Sequence, residues 1–126
     1  KIKLTEYALI QEKKTWNEAR DFCRKNYIDL ATVQTDEEWS KLNELRANYR
    51  SNTWIGLYDD VNNSWKWSDQ TSTSSALRWA SGQPDNSFGR YSCAALDYDG
   101  QIVDESCSRL HYFLSIKCSF AMKSDV

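Results

Sequence analysis

The segment Gly82-Gln83-Pro84-Asp85-Asn86 is the part of the sequence that most strongly indicates the fold and the site. It contains the only proline of the chain and lies in a span, from Ser68 to Ser92, that shows neither helical nor strand periodicity. An irregular span of this length inside a compact domain is uncommon and is usually functional. Two cysteines, Cys93 and Cys107, follow the segment, so we expect a long functional loop that a local disulfide holds in place.

The composition indicates one globular domain. The chain has 126 residues, of which 40% are hydrophobic, and it contains six Trp and seven Tyr; we therefore expect a single domain over residues 1–126. The net charge of −2 argues against a broad basic surface for nucleic acid or anionic membranes. No apolar run has the length of a membrane span and no signal-peptide pattern is present, so we expect a mature domain or an excised module without membrane insertion.

The four cysteines lie far apart, without a C-x-x-C pair or a Cys/His cluster, and this spacing argues against a structural zinc site. Four cysteines allow three pairings. We expect Cys93–Cys107 as a local clasp and Cys23–Cys118 as a link between the ends of the domain; the alternative is four buried thiols in a cytosolic protein. Disulfides indicate an extracellular location, and the glycosylation sequon Asn62-Asn63-Ser64, with Asn62 as acceptor, agrees with secretion.

Two helices are predicted near the N-terminus because each begins with a capping box. Thr15 is followed three residues later by Glu18, and Thr35 by Glu38. Apolar residues then recur at helical spacing, namely Trp16, Ala19, Phe22 and Cys23 in the first helix and Trp39, Leu42 and Leu45 in the second.

Strand patterns occupy most of the remaining chain, because short apolar or alternating runs are bounded by turn residues. The predicted strands are Tyr7–Gln11, Trp54–Leu57, Trp65–Trp67, Cys93–Leu96 and Tyr112–Cys118. A short extended link is expected at Asp29–Val33.

These pieces, in this order, resemble the C-type lectin-like domain. The resemblance covers Tyr7 to Cys118, so the domain core is expected at about 7–118. The matching residues are Thr15-Trp16-x-Glu18-Ala19, Cys23, Leu30-Ala31, Glu38, Trp54-Ile55-Gly56-Leu57, Trp65-x-Trp67, Trp79, Gln83-Pro84-Asp85, Cys93, Asp104, Cys107 and Cys118. The resemblance implies an α+β double-loop fold with two helices flanking small antiparallel sheets, a long loop, and the same two disulfides.

The resemblance also implies a site for calcium and sugar. Sugar-binding members of the family hold Ca²⁺ with oxygens from the long loop and the next strand, and sugar hydroxyls complete the six to eight oxygens that the ion prefers. Gln83-Pro84-Asp85 resembles the galactose-type motif. Gln83 and Asp85 would then be metal ligands, with Pro84 in the cis form, and Asp104 would be a third ligand.

Several positions depart from the family pattern. Val103 stands where the family has asparagine, Tyr91 where it has an acidic ligand, and Ile102 where it has tryptophan. At a second calcium position Asp59 matches, but two expected carboxylates are replaced, by Asn86 and Ser92. We therefore expect calcium to bind weakly or not at all.

The expected function is that of an extracellular, non-enzymatic recognition module. The first hypothesis is a weak or altered galactose-type carbohydrate site, with the aromatic face of Tyr91 stacking on a sugar ring. The alternative is calcium-independent protein recognition by the same loop, through Tyr91, Arg90 and Trp79, with the Arg90 guanidinium neutralising Asp85 and Asp104 in place of a cation. Ice binding is a further alternative from another class, although no flat Thr-rich face is evident.

Catalysis is not expected from the sequence. His111 is the only histidine, and it has no serine or cysteine partner identifiable nearby. No nucleophile motif, phosphate loop or paired-carboxylate pattern is present.

Overall fold

The computed structural model describes residues 3–60, 64–73, 77–85 and 92–120, and the side chains of 5–60, 64–73, 77–85 and 92–117. In chain order, the elements are β1 (Lys3–Lys14), α1 (Trp16–Asn26), β2 (Asp29–Leu30), α2 (Asp36–Leu45), β3 (Thr53–Asp59), β4 (Trp65–Trp67), β5 (Ser92–Leu96), β6 (Ile102–Ser106) and β7 (His111–Phe120). None of the helices in these ranges is long and apolar enough to cross a membrane.

The strands form one mixed sheet. Its order is β1-β7-β3-β5-β6, with β2 also paired to β7 and β4 to β3. All pairings are antiparallel except that of β3 with β7, where Thr53 pairs with Tyr112 and Trp54 with Phe113. The α+β class is confirmed, but this parallel contact joins the expected small antiparallel sheets into a single sheet.

Both predicted helix starts are confirmed. The Thr15 side chain accepts a hydrogen bond from the Glu18 backbone N–H, and the Glu18 side chain accepts one from the Thr15 N–H. Thr35 and Glu38 form the same reciprocal pair at the start of α2. Each box satisfies backbone donors that the first turn of a helix leaves unpaired.

The sheet has an apolar cluster on each face. Alternation along β7 places Phe113 with Trp16 of α1 in one cluster and Leu114 with Leu42 of α2 in the other. Trp16 is fully buried, and its indole N–H donates to the carbonyl oxygen of Ile55 at 2.8 Å. The two predicted helices therefore pack into clusters on opposite faces of the sheet.

One predicted disulfide is confirmed. Cys93 and Cys107 are bonded, and they join the start of β5 to the residue that follows β6.

The structure corrects the other predicted disulfide, Cys23–Cys118. Cys23 is a free, buried thiol. The β7 residue that lies near this thiol and acts on its pKa is Ser115, whose hydroxyl group cannot form a disulfide. Cys118 lies three positions further along β7, and its side chain is outside the described residues.

Candidate functional site

Three predicted ligands, Gln83, Asp85 and Asp104, lie together and are connected by hydrogen bonds. The backbone N–H of Asp104 donates to Gln83 Oε1 at 3.2 Å, and Gln83 Nε2 donates to Asp85 Oδ2 at 3.4 Å. The backbone N–H of Asp85 donates to Asp104 Oδ1 at 3.5 Å. The Gln83–Pro84 peptide bond is cis, as expected. We call Gln83, Asp85 and Asp104 the loop site.

The loop site is built on the edge of the sheet. Asp104 lies in β6, where it pairs with Ala94 of β5. The chain just before Gln83 is joined to the first residue of the same strand, because Ile102 N–H donates to the Arg78 carbonyl and Ala80 N–H donates to the Ile102 carbonyl, both at 2.8 Å. These two hydrogen bonds therefore hold the irregular segment before Gln83 at a fixed distance from strand β6.

The three side chains differ in burial. Asp104 is only 4% exposed, whereas Gln83 is half-buried and Asp85 is exposed. A buried carboxylate requires hydrogen bonds or a cation to offset the loss of water. The site therefore presents a carboxylate at its base and a second one at its rim, with an amide oxygen beside them.

The donor set fits a calcium ion in kind but not in number. All three side chains offer oxygen, which Ca²⁺ prefers, but the ion takes six to eight oxygens. Within the described ranges no group of three or more His, Cys, Asp or Glu side chains could hold a metal ion. Solvent or a ligand would have to supply most of the coordination shell.

The residues that precede Asp104 in β6 belong to the core. Ile102 is fully buried in the cluster that contains Leu42 of α2. Val103 is half-buried against the cluster that contains Trp16 of α1. Neither side chain has an oxygen to offer. At these two positions the strand is intact and its side chains pack into the core.

Of the residues considered for a second calcium position, Asp59 and Ser92 are described. Asp59 is 1% exposed, and its Oδ1 accepts the backbone N–H of Ser64 at 2.9 Å. Ser92 is fully buried, and its hydroxyl has no hydrogen-bond partner among the described residues. Asn86 lies outside the described part of the chain.

The other predicted contact residues are only partly described. Trp79 is half-buried, and its ring packs edge-on against Trp65 with 5.0 Å between centroids. Its backbone forms a bridge with Ile102, so the ring extends the core beneath the long loop. Tyr91, Arg90 and the candidate glycosylation site Asn62 lie outside the described residues.

A buried polar cluster next to Asp104 has no sequence motif, and it was not expected. Glu105 is 8% exposed and accepts a hydrogen bond from the side chain of Asn52. Its Oε1 atom lies 2.8 Å from Nε2 of His111. Burial alone would raise the pKa of Glu105, but hydrogen bonds from His111 and Asn52 and the charges of His111 and Arg109 hold it below its usual value. Glu105 is thus engaged away from the loop site.

Comparison with known proteins gives a consistent family. The sequence profile of the Lectin C-type domain matches residues 12–118. The chain is 36% identical over 124 residues to a C-type lectin, a lectoxin, of Thrasops jacksonii, covering 90% of this chain and 77% of that protein. It is 32% identical over 100 residues to P-selectin of Mus musculus, covering 74% of this chain but only 13% of that much longer protein.

Solved structures agree with the sequence comparisons. The human scavenger receptor C-type lectin carbohydrate-recognition domain superposes with a TM-score of 0.78 at 34% identity, covering 90% of each chain. Human lithostathine gives a TM-score of 0.75 at 27% identity, covering 90% of this chain and 91% of that one.

Proposed function

Because the chain belongs to the C-type lectin domain family, we propose that it is an extracellular carbohydrate-recognition domain that binds a galactose-type sugar through a weakly held calcium ion. The observation that supports this proposal is the hydrogen-bonded arrangement of Gln83, Asp85 and Asp104. The Cys93–Cys107 disulfide supports the extracellular location, because disulfides persist in oxidising compartments.

The proposed recognition follows from coordination chemistry. The carboxylates of Asp85 and Asp104 and the amide oxygen of Gln83 would hold the ion, and the ion would supply coordination for two neighbouring sugar hydroxyls. Tyr91 is proposed to stack on the apolar face of the sugar ring. Because so few protein ligands contribute, calcium affinity is expected at or beyond the weak extracellular range of about 10⁻⁴–10⁻³ M.

The alternative proposal is calcium-independent recognition of a protein by the same loop. The observation that favours it is the apolar side chain of Val103 in the strand position beside Asp104. In this alternative, Arg90 replaces the cation, and Tyr91 and Trp79 contribute aromatic contacts, as aromatic and Arg residues often do at protein interfaces.

Calorimetric titration with Ca²⁺, followed by a glycan array with and without EDTA, distinguishes the two proposals. Saturable heat and chelator-sensitive retention of galactose-type glycans support the carbohydrate proposal. Absence of both signals contradicts it and leaves protein recognition.

A matched pair of variants locates the effect. Asp104→Asn removes one charge from the loop site while preserving its size, and it should abolish the calcium heat. Asp99→Asn removes one charge from an exposed residue outside the site, and it should leave the calcium heat unchanged. Equal loss in both variants would indicate a general effect of charge rather than coordination.

A further inference from the structure

The irregular segment 77–85 lies along β6, the last strand of the sheet, and Arg78 begins this contact. The backbone N–H of Ile102 donates to the carbonyl oxygen of Arg78 at 2.8 Å. Two residues further along β6, the backbone N–H of Asp104 donates to Gln83 Oε1 at 3.2 Å. The position of Arg78 along β6 therefore helps to determine which residues of the segment lie beside Asp104.

The hydrogen bonds within the loop site are too long to fix this position by themselves. They measure 3.2, 3.4 and 3.5 Å, whereas most N–H···O hydrogen bonds in proteins measure about 2.7–3.2 Å. Long hydrogen bonds are weak, so other contacts of the segment have to help set its distance from β6.

The side chain of Arg78 connects the segment to α2. Its Nη2 forms an ion pair with Oδ1 of Asp36, the first residue of α2. Its guanidinium carbon lies 5.2 Å from the ring centroid of Trp39, a buried core residue of the same helix. A guanidinium group can stack on an aromatic ring and pair with a carboxylate at the same time. Arg78 therefore contacts β6 through its backbone and α2 through its side chain.

The next residue attaches the segment in a different direction. Trp79 forms a backbone bridge with Ile102, and its ring packs edge-on against Trp65 of β4. These contacts hold the segment against the sheet and the core. Arg78 adds a second attachment, to the start of α2, only five residues before Gln83.

We propose that Arg78 is a positioning residue for the loop site. By joining the segment to β6 and to α2 at one point, it holds Gln83 and Asp85 opposite Asp104. The consequence for calcium binding rests on the proposed function. The consequence for the hydrogen bonds between the segment and β6 does not, and it can be measured separately.

Amide hydrogen exchange of the Arg78→Ala variant, followed by NMR, tests the proposal. The N–H groups of Ile102 and Asp104 donate to the segment. Alternate residues of a strand direct their N–H groups to opposite sides, so those of Val103 and Glu105 face β5 and provide internal controls.

We expect exchange at Ile102 and Asp104 to become about threefold to tenfold faster in Arg78→Ala, the range for loss of one exposed ion pair and one cation–π contact. Exchange at Val103 and Glu105 should not change. Unchanged exchange at the first two amides, or equal acceleration at all four, would overturn the proposal.

Further variants identify the contact that acts. Asp36→Ala removes the partner of Arg78 and should accelerate the same two amides. Glu37→Ala removes an exposed charge from the same turn of α2 and should leave them unchanged. Arg78→Lys keeps a cation but not the planar fork, so its exchange should be slower than that of Arg78→Ala. Equal rates in Arg78→Lys and Arg78→Ala, or equal effects of Asp36→Ala and Glu37→Ala, would contradict the proposed attachment.

Calcium titration and urea denaturation of Arg78→Ala separate positioning from stability. The side chains of Arg78 and Asp36 are 43% and 95% exposed, so the urea midpoint should stay close to that of the wild type. The calcium affinity should fall at least about threefold, because the loop-site ligands are held less closely together. A large loss of stability, or unchanged affinity in a wild type that binds calcium, would overturn the positioning role. A wild type that binds no calcium would contradict the proposed function alone, because the exchange rates still test the position of the segment.

Discussion

The Ser115 hydroxyl on β7 donates to the carbonyl oxygen of Asp29 at 3.1 Å and lies near enough to the buried thiol of Cys23 on α1 to act on its pKa. Burial raises the pKa of Cys23 to about 12, so the thiol is protonated and unreactive at neutral pH. Position 115 is therefore the place on β7 from which α1 can be cross-linked.

We expect Ser115→Cys, in a Cys118→Ser background, to form a disulfide with Cys23. The new bond should raise the free energy of unfolding by about 2–4 kcal/mol, because it restricts the unfolded chain. Urea denaturation with and without a reducing agent measures the effect. Ser115→Ala in the same background is the control and should show no dependence on the reducing agent; the same stability for both variants under oxidising conditions would contradict the prediction.

Gly56→Ala should destabilise the domain. A Cβ atom at this position would lie 2.9 Å from the carbonyl oxygen of Ala31 and 3.0 Å from that of Leu30, both backbone atoms. The Gly56 N–H also donates to the Ala31 carbonyl at 2.8 Å, so the two segments cannot separate without losing this bond. We expect a loss of about 1–3 kcal/mol in urea unfolding; a loss below about 0.5 kcal/mol, as at ordinary surface sites, would show that the segments adapt.

Local features of the fold were predictable from the sequence. A capping box needs only two residues three positions apart, so the starts of α1 and α2 followed directly from Thr15 with Glu18 and from Thr35 with Glu38. The apolar run that begins at Trp54 predicted β3, because a strand pattern is also contained in a few consecutive residues.

Long-range contacts were harder to predict. The partner of Cys23 depends on which residue of β7 faces α1, and a shift of register changes that face. Cysteine spacing alone does not contain this information. In the loop site, Gln83 and Asp85 are neighbours in sequence, but the position of Asp104 was available only through the family resemblance.

Arg46→Lys should destabilise the junction between the end of α2 and the neighbouring ends of β3 and β5. The Arg46 guanidinium is buried and donates to Thr53 Oγ1 and to the carbonyl oxygens of Ser51, Leu96 and Asp97. A lysine ammonium cannot reproduce this planar set of donors. We expect a loss of about 2–3 kcal/mol in urea unfolding, since hydrogen bonds to a charged group are lost.

The exposed Arg50 provides the matched control for Arg46. Among the described residues, its Nη1 donates to one carbonyl oxygen, that of Tyr98, at 3.0 Å. Arg50→Lys should therefore change the free energy of unfolding by less than about 0.5 kcal/mol. A loss as large as that of Arg46→Lys would mean that burial and multiple acceptors are not the cause.

The buried cluster of Glu105, His111 and Asn52 should make stability depend on pH. The pKa of Glu105 is lowered in the folded state, so the unfolded state binds more protons between the lowered and the ordinary pKa. Stability must then rise with pH across this interval. The contribution is fully present above the ordinary pKa of glutamate and is lost as the pH falls through the lowered value.

Glu105→Gln should remove this part of the pH dependence. A glutamine side chain cannot ionise, so the free energy of unfolding at neutral pH should fall by about 1.5–3 kcal/mol, because the hydrogen bonds from His111 and Asn52 lose a charged acceptor. Under acidic conditions, where Glu105 is itself protonated, the variant and the wild type should become similar in stability. Urea unfolding between about pH 2 and pH 7, on either side of the ordinary glutamate pKa, measures both quantities. Glu12→Gln alters an exposed glutamate and should retain the wild-type profile; a profile for Glu105→Gln parallel to that of the wild type would show that Glu105 does not carry the acid dependence.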